Sequence, residues 1–153
     1  MAKKINIDVD FTEDTYLVGI SCHKKDYFLA FQLNDQLGTD LRRYKDLPYY
    51  NSKINSPLNY ALFYYHHPEN HLGYYLISNF NQENKLFSEL KTIDFFVLLQ
   101  GLLSEEGRKD LLTKIRGIKG VLFVQDIETK KIKDYSNFLS DLELHITDIF
   151  KQE

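Results

Sequence analysis

The chain predicts an α+β fold: an antiparallel or mixed β-sheet with helices packed on one face, and an extra amphipathic helix at the C-terminus. Three observations lead there. Apolar residues alternate with period two in several short segments, the mark of strands. Three other segments carry helical spacing or helix-end signals. The resulting order, roughly ββα–ββ–βαβ–α, mixes hairpins with one crossover unit. At 153 residues, length favours one domain over 1–153, with a core over roughly 5–127 and a helical extension over 135–152.

Ile5, Ile7, Val9 and Phe11 alternate with polar neighbours, so a first strand with one wet face is expected, and Tyr16–Ile20 reads as a second, more buried one. Ser21 has the chemistry of an N-cap and Gly38 that of the residue just past a helix end. A wheel over Cys22–Leu37 puts Tyr27, Leu29, Ala30, Phe31, Leu33 and Leu37 on one broad face, with His23, Asp26 and Asn34 inside the same arc. Phe28 falls in the opposite, polar sector and is expected to face solvent. Asp40–Asn55 reads as irregular. Tyr60–His66 and Leu72–Phe80 flank Pro68-Glu69-Asn70 as a hairpin, apolar or aromatic on both faces. Ile93, Phe95, Val97 and Leu99 line one face of a further strand. Ser104 with Glu105 and Glu106 starts a helix whose stripe is Leu111, Leu112 and Ile115 and whose stop is Gly117. Val121–Ile127 is another strand. Ser140 and Glu143 form a capping box, after which Leu142, His145, Ile146, Ile149 and Phe150 recur at helical spacing.

Composition narrows the function classes. Hydrophobic residues make up 43% and charged residues 27% of the chain, which excludes wholesale disorder. One cysteine excludes a disulfide scaffold and a zinc site built on paired thiolates. Apolar runs such as Phe95–Leu99 fall far short of the ~18 residues of a bilayer span. Met1–Phe11 lacks the apolar core of a signal peptide, so a cytoplasmic location without membrane contact is expected. The net charge of −3 argues against general nucleic-acid binding. The distribution is uneven, however. Arg108–Lys133 holds eight bases against three acids, and the remainder of the chain is correspondingly acidic.

Leu86-Phe87-Ser88-Glu89-Leu90-Lys91-Thr92-Ile93-Asp94-Phe95 resembles the signature that names the IPExxxVDY family of small proteins from Bacteroidetes bacteria. Glu89 and Asp94 match it directly, while Ser88 stands where the signature has Pro. Gly19–Tyr27 with Asn34, Leu37 and Gly38, and Tyr75–Asn79, are similar to further segments of that family. The resemblance spans about Val18 to Ile127 and marks His23, Asp26, Tyr27, Asn34, Asn79, Glu89 and Asp94 as motif polar residues. It implies a housekeeping context, since members are often encoded near an acyl carrier protein and ribonuclease III, and it implies no mechanism.

Candidate chemistry is sparse. His23, Asp26 and Tyr27 share one face of the expected helix, where a His–Asp pair has the makings of a general base, or of a polar cluster tying helix to sheet. Cys22 beside His23 reads as a plain thiol, because adjacent helical residues diverge by about 100°. His66, His67 and His71 read as turn residues, and no metal or cofactor is expected. Glu89 and Asp94, five apart at a strand entry, suit bonding to loop amides better than paired acid–base work. No phosphate loop, nucleophile elbow or His-Glu-x-x-His is present. The favoured reading is a protein-binding module, with no catalytic residues, that docks another protein through Phe28 and through Ile146, Ile149 and Phe150 of the C-terminal helix. Two rivals stand beside it: an RNA-associated factor using Arg116, Lys119, Lys130, Lys131 and Lys133, and an enzyme built around His23 and Asp26.

Overall fold

The computed structural model describes residues 14–82 and 84–151; the alternating segment Ile5–Phe11 lies outside them. The elements run β1 (Thr15–Cys22), α1 (Asp26–Leu37), β2 (Arg42–Asn51), β3 (Ser56–His66), β4 (Gly73–Ser78), the short pair β5 (Phe80–Asn81) and β6 (Asn84–Lys85), β7 (Phe95–Gln100), α2 (Glu105–Arg116), β8 (Val121–Asp126) and α3 (Tyr135–Lys151). Six strands pair in the order β2-β3-β4-β7-β1-β8, every neighbouring pair antiparallel. The expected α+β class and antiparallel sheet are therefore observed. Since β7 and β8 flank β1, α2 carries the chain across that strand, while α1 carries it from β1 to the far edge at β2.

Period-two alternation sorts the central strands between two apolar layers. Tyr16, Val18 and Ile20 of β1, Phe63 of β3, and Phe95, Val97 and Leu99 of β7 pack against Leu29 and Leu33 of α1 and Leu111 and Ile115 of α2. On the other face, Leu17, Leu62, Tyr75, Ile77, Phe96 and Leu98 pack against Phe138, Leu139, Leu142 and Ile146 of α3. The two earlier helices thus share one face as expected, and the C-terminal helix covers the opposite one. Ile93 belongs to this second layer, not with Phe95, because it precedes β7 and the alternation does not extend back into the loop.

Several boundaries depart from the sequence reading. Ser21 is not an N-cap: β1 continues through Cys22, and Ser21 Oγ donates to the Thr92 carbonyl at 2.6 Å. The helix begins at Asp26 after Lys25, which makes no side-chain cap bond, and it ends as expected at Gly38 with φ 68°. At the second helix Ser104 does cap, its hydroxyl accepting from the Gly107 amide at 3.0 Å. Ser140 lies inside α3, which starts five residues earlier. The irregular stretch is in fact β2, an edge strand with Leu47 as its sole buried residue and a register shift between Tyr44 and Leu47. Its polar composition and Pro48 hid it, and both are tolerated where only one side of a strand is paired.

Candidate functional site

The signature segment folds as a loop between β6 and β7, and three of the motif residues converge on it. Asn79 sits fully buried beneath the loop. Its Nδ2 donates to the carbonyls of Leu90 (3.1 Å) and Ile93 (2.8 Å), and its Oδ1 accepts from the Phe87 amide at 3.0 Å. Its backbone adds two further bonds, to the Asp94 carbonyl and from the Leu86 amide. Asp94 accepts the Cys22 amide at 2.8 Å, tying the loop's far end to β1. Glu89 accepts the Lys133 amide at 3.0 Å, tying its near end to the approach of α3. Every side-chain bond of this set runs to backbone, so these polar residues hold a loop in place, and both carboxylates bond amides as the spacing suggests.

The loop so held rims a cleft of about 520 Å³, whose walls include Tyr50, Lys53, Lys85, Ser88, Lys91 and Lys133. Phe87, buried, also lines it and packs edge-on against Phe96 and Phe138. A second cleft of about 400 Å³ lies at the opposite end of β4, between Tyr75, His66, His71 and Glu143. Burial pushes the Tyr75 phenol well above its ordinary pKa, and that phenol donates to Gln100 at 3.0 Å. His67 stabilises the neighbouring turn, its Nδ1 accepting from the Glu69 amide at 3.2 Å. Among the described residues no group of three or more side chains is placed to hold a metal ion.

The motif residues of α1 do not form a common cluster. His23 precedes the helix and is exposed, lining neither cleft. Asp26 pairs with Arg43 Nη1 at 3.4 Å, and the same guanidinium lies over the Phe63 ring and bonds Asp46 at 2.6 Å. Arg43 escaped the sequence reading because its partners come from three separate elements. Asn34 works at the other end of the helix, where its Oδ1 accepts from Thr39 Oγ1 (2.8 Å) and the Leu41 amide (2.7 Å). It fixes the turn into β2.

The expected docking residues need correction. Phe28 is half-buried beneath Lys24, whose ammonium lies 5.6 Å from the ring centre, so it is not a free surface ring. Ile146 is buried in the α3 layer. Phe150 packs on Tyr44 and Tyr64, with ring centres 5.5 and 5.9 Å away, yet stays 42% exposed, and the exposure of Ile149 is only partial. The C-terminal helix uses its apolar face on its own sheet. The exposed rings of α1 are instead Tyr27 and Phe31, 67% and 68% accessible, although helical spacing puts both on the apolar face. They lie at the margin of an arc drawn too wide: burial reaches Leu29, Ala30 and Leu33 and stops there.

The basic segment is divided between two places. Arg116 and Lys119 precede β8, whereas Lys130, Lys131 and Lys133 follow it, and six strand residues separate the groups by about 20 Å. Lys131 is paired with Glu128 at 3.3 Å and Lys114 with Asp110 at 3.0 Å. No helix among the described residues is long and apolar enough to cross a membrane. No family model matches the chain, and no curated protein matches it either.

Proposed function

We propose that this chain is a non-catalytic protein-binding module of the cytoplasm, related to the IPExxxVDY family that its signature resembles. The bonds that Asn79, Glu89 and Asp94 make around one loop support the resemblance, because three of its motif positions then share one structural task. The binding reading is carried by Tyr27 and Phe31, which stand one turn apart on α1 and leave two-thirds of each ring in water. Positions i and i+4 are neighbours on a helix surface, so the rings form one patch. Aromatic anchors of this kind contribute most when buried in a partner's apolar pocket. The partner's complementary surface is therefore an apolar groove on another protein.

The test is affinity purification of the full chain from native lysate with mass spectrometry, repeated with nuclease. A defined protein retained after nuclease treatment, and lost with Tyr27→Ala/Phe31→Ala, is the expected result. Equal retention by wild type and double variant overturns the assignment of this surface, and retention that vanishes with nuclease favours the RNA-associated reading instead.

A further inference from the structure

The cleft beside the signature loop has no part in the α1 surface, yet the fold invests a buried, fully bonded asparagine and two carboxylates in holding its rim. Four lysines line it, Lys53, Lys85, Lys91 and Lys133, and none of them forms an ion pair among the described residues. On the rim, the backbone amides of Ser88 and Glu89 likewise donate to no group among the described residues. The Lys85 ammonium lies over the Phe80 ring, 5.4 Å from its centre, a contact that leaves its N–H donors unpaired. Ammonium groups and amide donors on a loop held by buried hydrogen bonds are what an oxyanion needs for charge-assisted bonds. Tyr50, 56% exposed, adds a flat apolar surface at the mouth. Three carboxylates share the cleft, but Glu89 is bonded to the Lys133 amide, and Asp134 and Asp141 lie on the α3 side. The wall formed by Lys85, Ser88 and Lys91 is thus free of acids except the bonded Glu89. At about 520 Å³ the cleft is within the size range of small-molecule sites, roughly 300–1,000 Å³.

We propose that this cleft binds a small phosphoanhydride, either inorganic or carried on a nucleotide, with its phosphates against Lys85, Lys91 and the Ser88–Glu89 amides. The experiment is titration of the full ¹⁵N-labelled chain at low salt with pyrophosphate and, separately, with ADP. Saturable shifts of the Ser88 and Glu89 amide resonances are expected with at least one probe. The double variant Lys85→Glu/Lys91→Glu is expected to weaken that binding about tenfold or more while its thermal midpoint stays near wild type, and Lys114→Glu, outside the cleft, is expected to leave it unchanged. ADP binding tighter than pyrophosphate, and reduced to the pyrophosphate level by Tyr50→Ala, assigns the ligand to the nucleotide class. Equal binding of both probes assigns it to the phosphates alone. Absence of saturable shifts with either probe, or undiminished binding by the lysine variant, overturns the proposal. Neither result bears on capture through Tyr27 and Phe31.

Discussion

Asn79 shows how one residue can organise a segment it barely touches in sequence. All three of its side-chain bonds go to backbone groups of residues 87–93, of which Phe87 and Ile93 are buried. A buried polar group left unpaired costs about 1–3 kcal/mol. Asn79→Ala orphans the Ile93 carbonyl and the Phe87 amide and removes one of two donors from the Leu90 carbonyl, which also accepts the Ile93 amide. We therefore expect a loss of roughly 2–4 kcal/mol, read as a lower urea midpoint with an unchanged slope. A loss below about 1 kcal/mol would mean that the loop re-forms its bonds without this side chain. Gly19 is a second position where size decides. A Cβ there would stand 2.7 Å from Ile127 Cδ1 and 2.8 Å from Ile93 Cδ1, so the absence of a side chain lets both isoleucines seat on β1.

At the level of elements, α2 and α3 differ in what holds them. α2 begins with a side-chain cap at Ser104 and two acids near the positive end of its dipole, so local chemistry defines its start. α3 relies on packing. Phe138, Leu139, Leu142 and Ile146 are buried against the sheet, Phe138 meets Tyr49 and Phe87, and Tyr135 shares a hydrogen bond of 3.2 Å with Thr15. Burying an apolar side chain of this size stabilises a fold by about 1.5–3 kcal/mol. Two perturbations of helices should therefore differ sharply. Ser104→Ala is expected to cost about 1 kcal/mol and leave cooperative unfolding intact. Truncation before Ser140 removes Leu142 and Ile146 and uncovers a whole layer of the sheet, so a soluble, cooperatively melting product is not expected. Circular dichroism melts of the two variants make the comparison, and a truncated chain that melts like wild type would show α3 to be dispensable.

Across the whole molecule, one sheet is covered on both faces, and much of the cover is aromatic. Several tyrosines have their hydroxyls drawn into that interior. Burial, with the nearby Asp126 carboxylate, pushes the Tyr16 phenol up to about 12, and burial pushes Tyr135 up to about 12 as well. Both groups hold their protons more tightly folded than unfolded, where a phenol titrates near 10. Their linkage contribution to stability is fully present below pH 10 and is lost as pH rises toward 12. Chemical denaturation should therefore show a tyrosine contribution that is flat up to about pH 10 and falling beyond it. Stability that climbs between pH 10 and 12 would contradict the buried state of these phenols. The two edges of the sheet also differ. β2 carries Pro48, a register shift and several charges, whereas β8 leaves Leu122 and Phe123 exposed.

Where local chemistry alone decides an element, the sequence was sufficient. β1, β3, β4 and β7 are legible because strands buried on both faces read as short apolar runs, and the Ser104 start and the Gly38 and Gly117 stops depend on residues within one turn. Glu89 and Asp94 could also be read as amide acceptors from their spacing. Tertiary structure decided the rest. β2 exists as a strand because β3 pairs with it, and α1 starts at Asp26 because β1 holds Cys22 against Val121 of β8 and the Asp94 carboxylate. The apolar stripe of α3 had two destinations open to it, a partner or its own sheet, and only the free second face of that sheet determined which. The grouping of the cleft lysines is hidden for the same reason. Lys53, Lys85, Lys91 and Lys133 are separated by up to eighty residues, and they become one charged wall only once long-range pairing has placed their backbones.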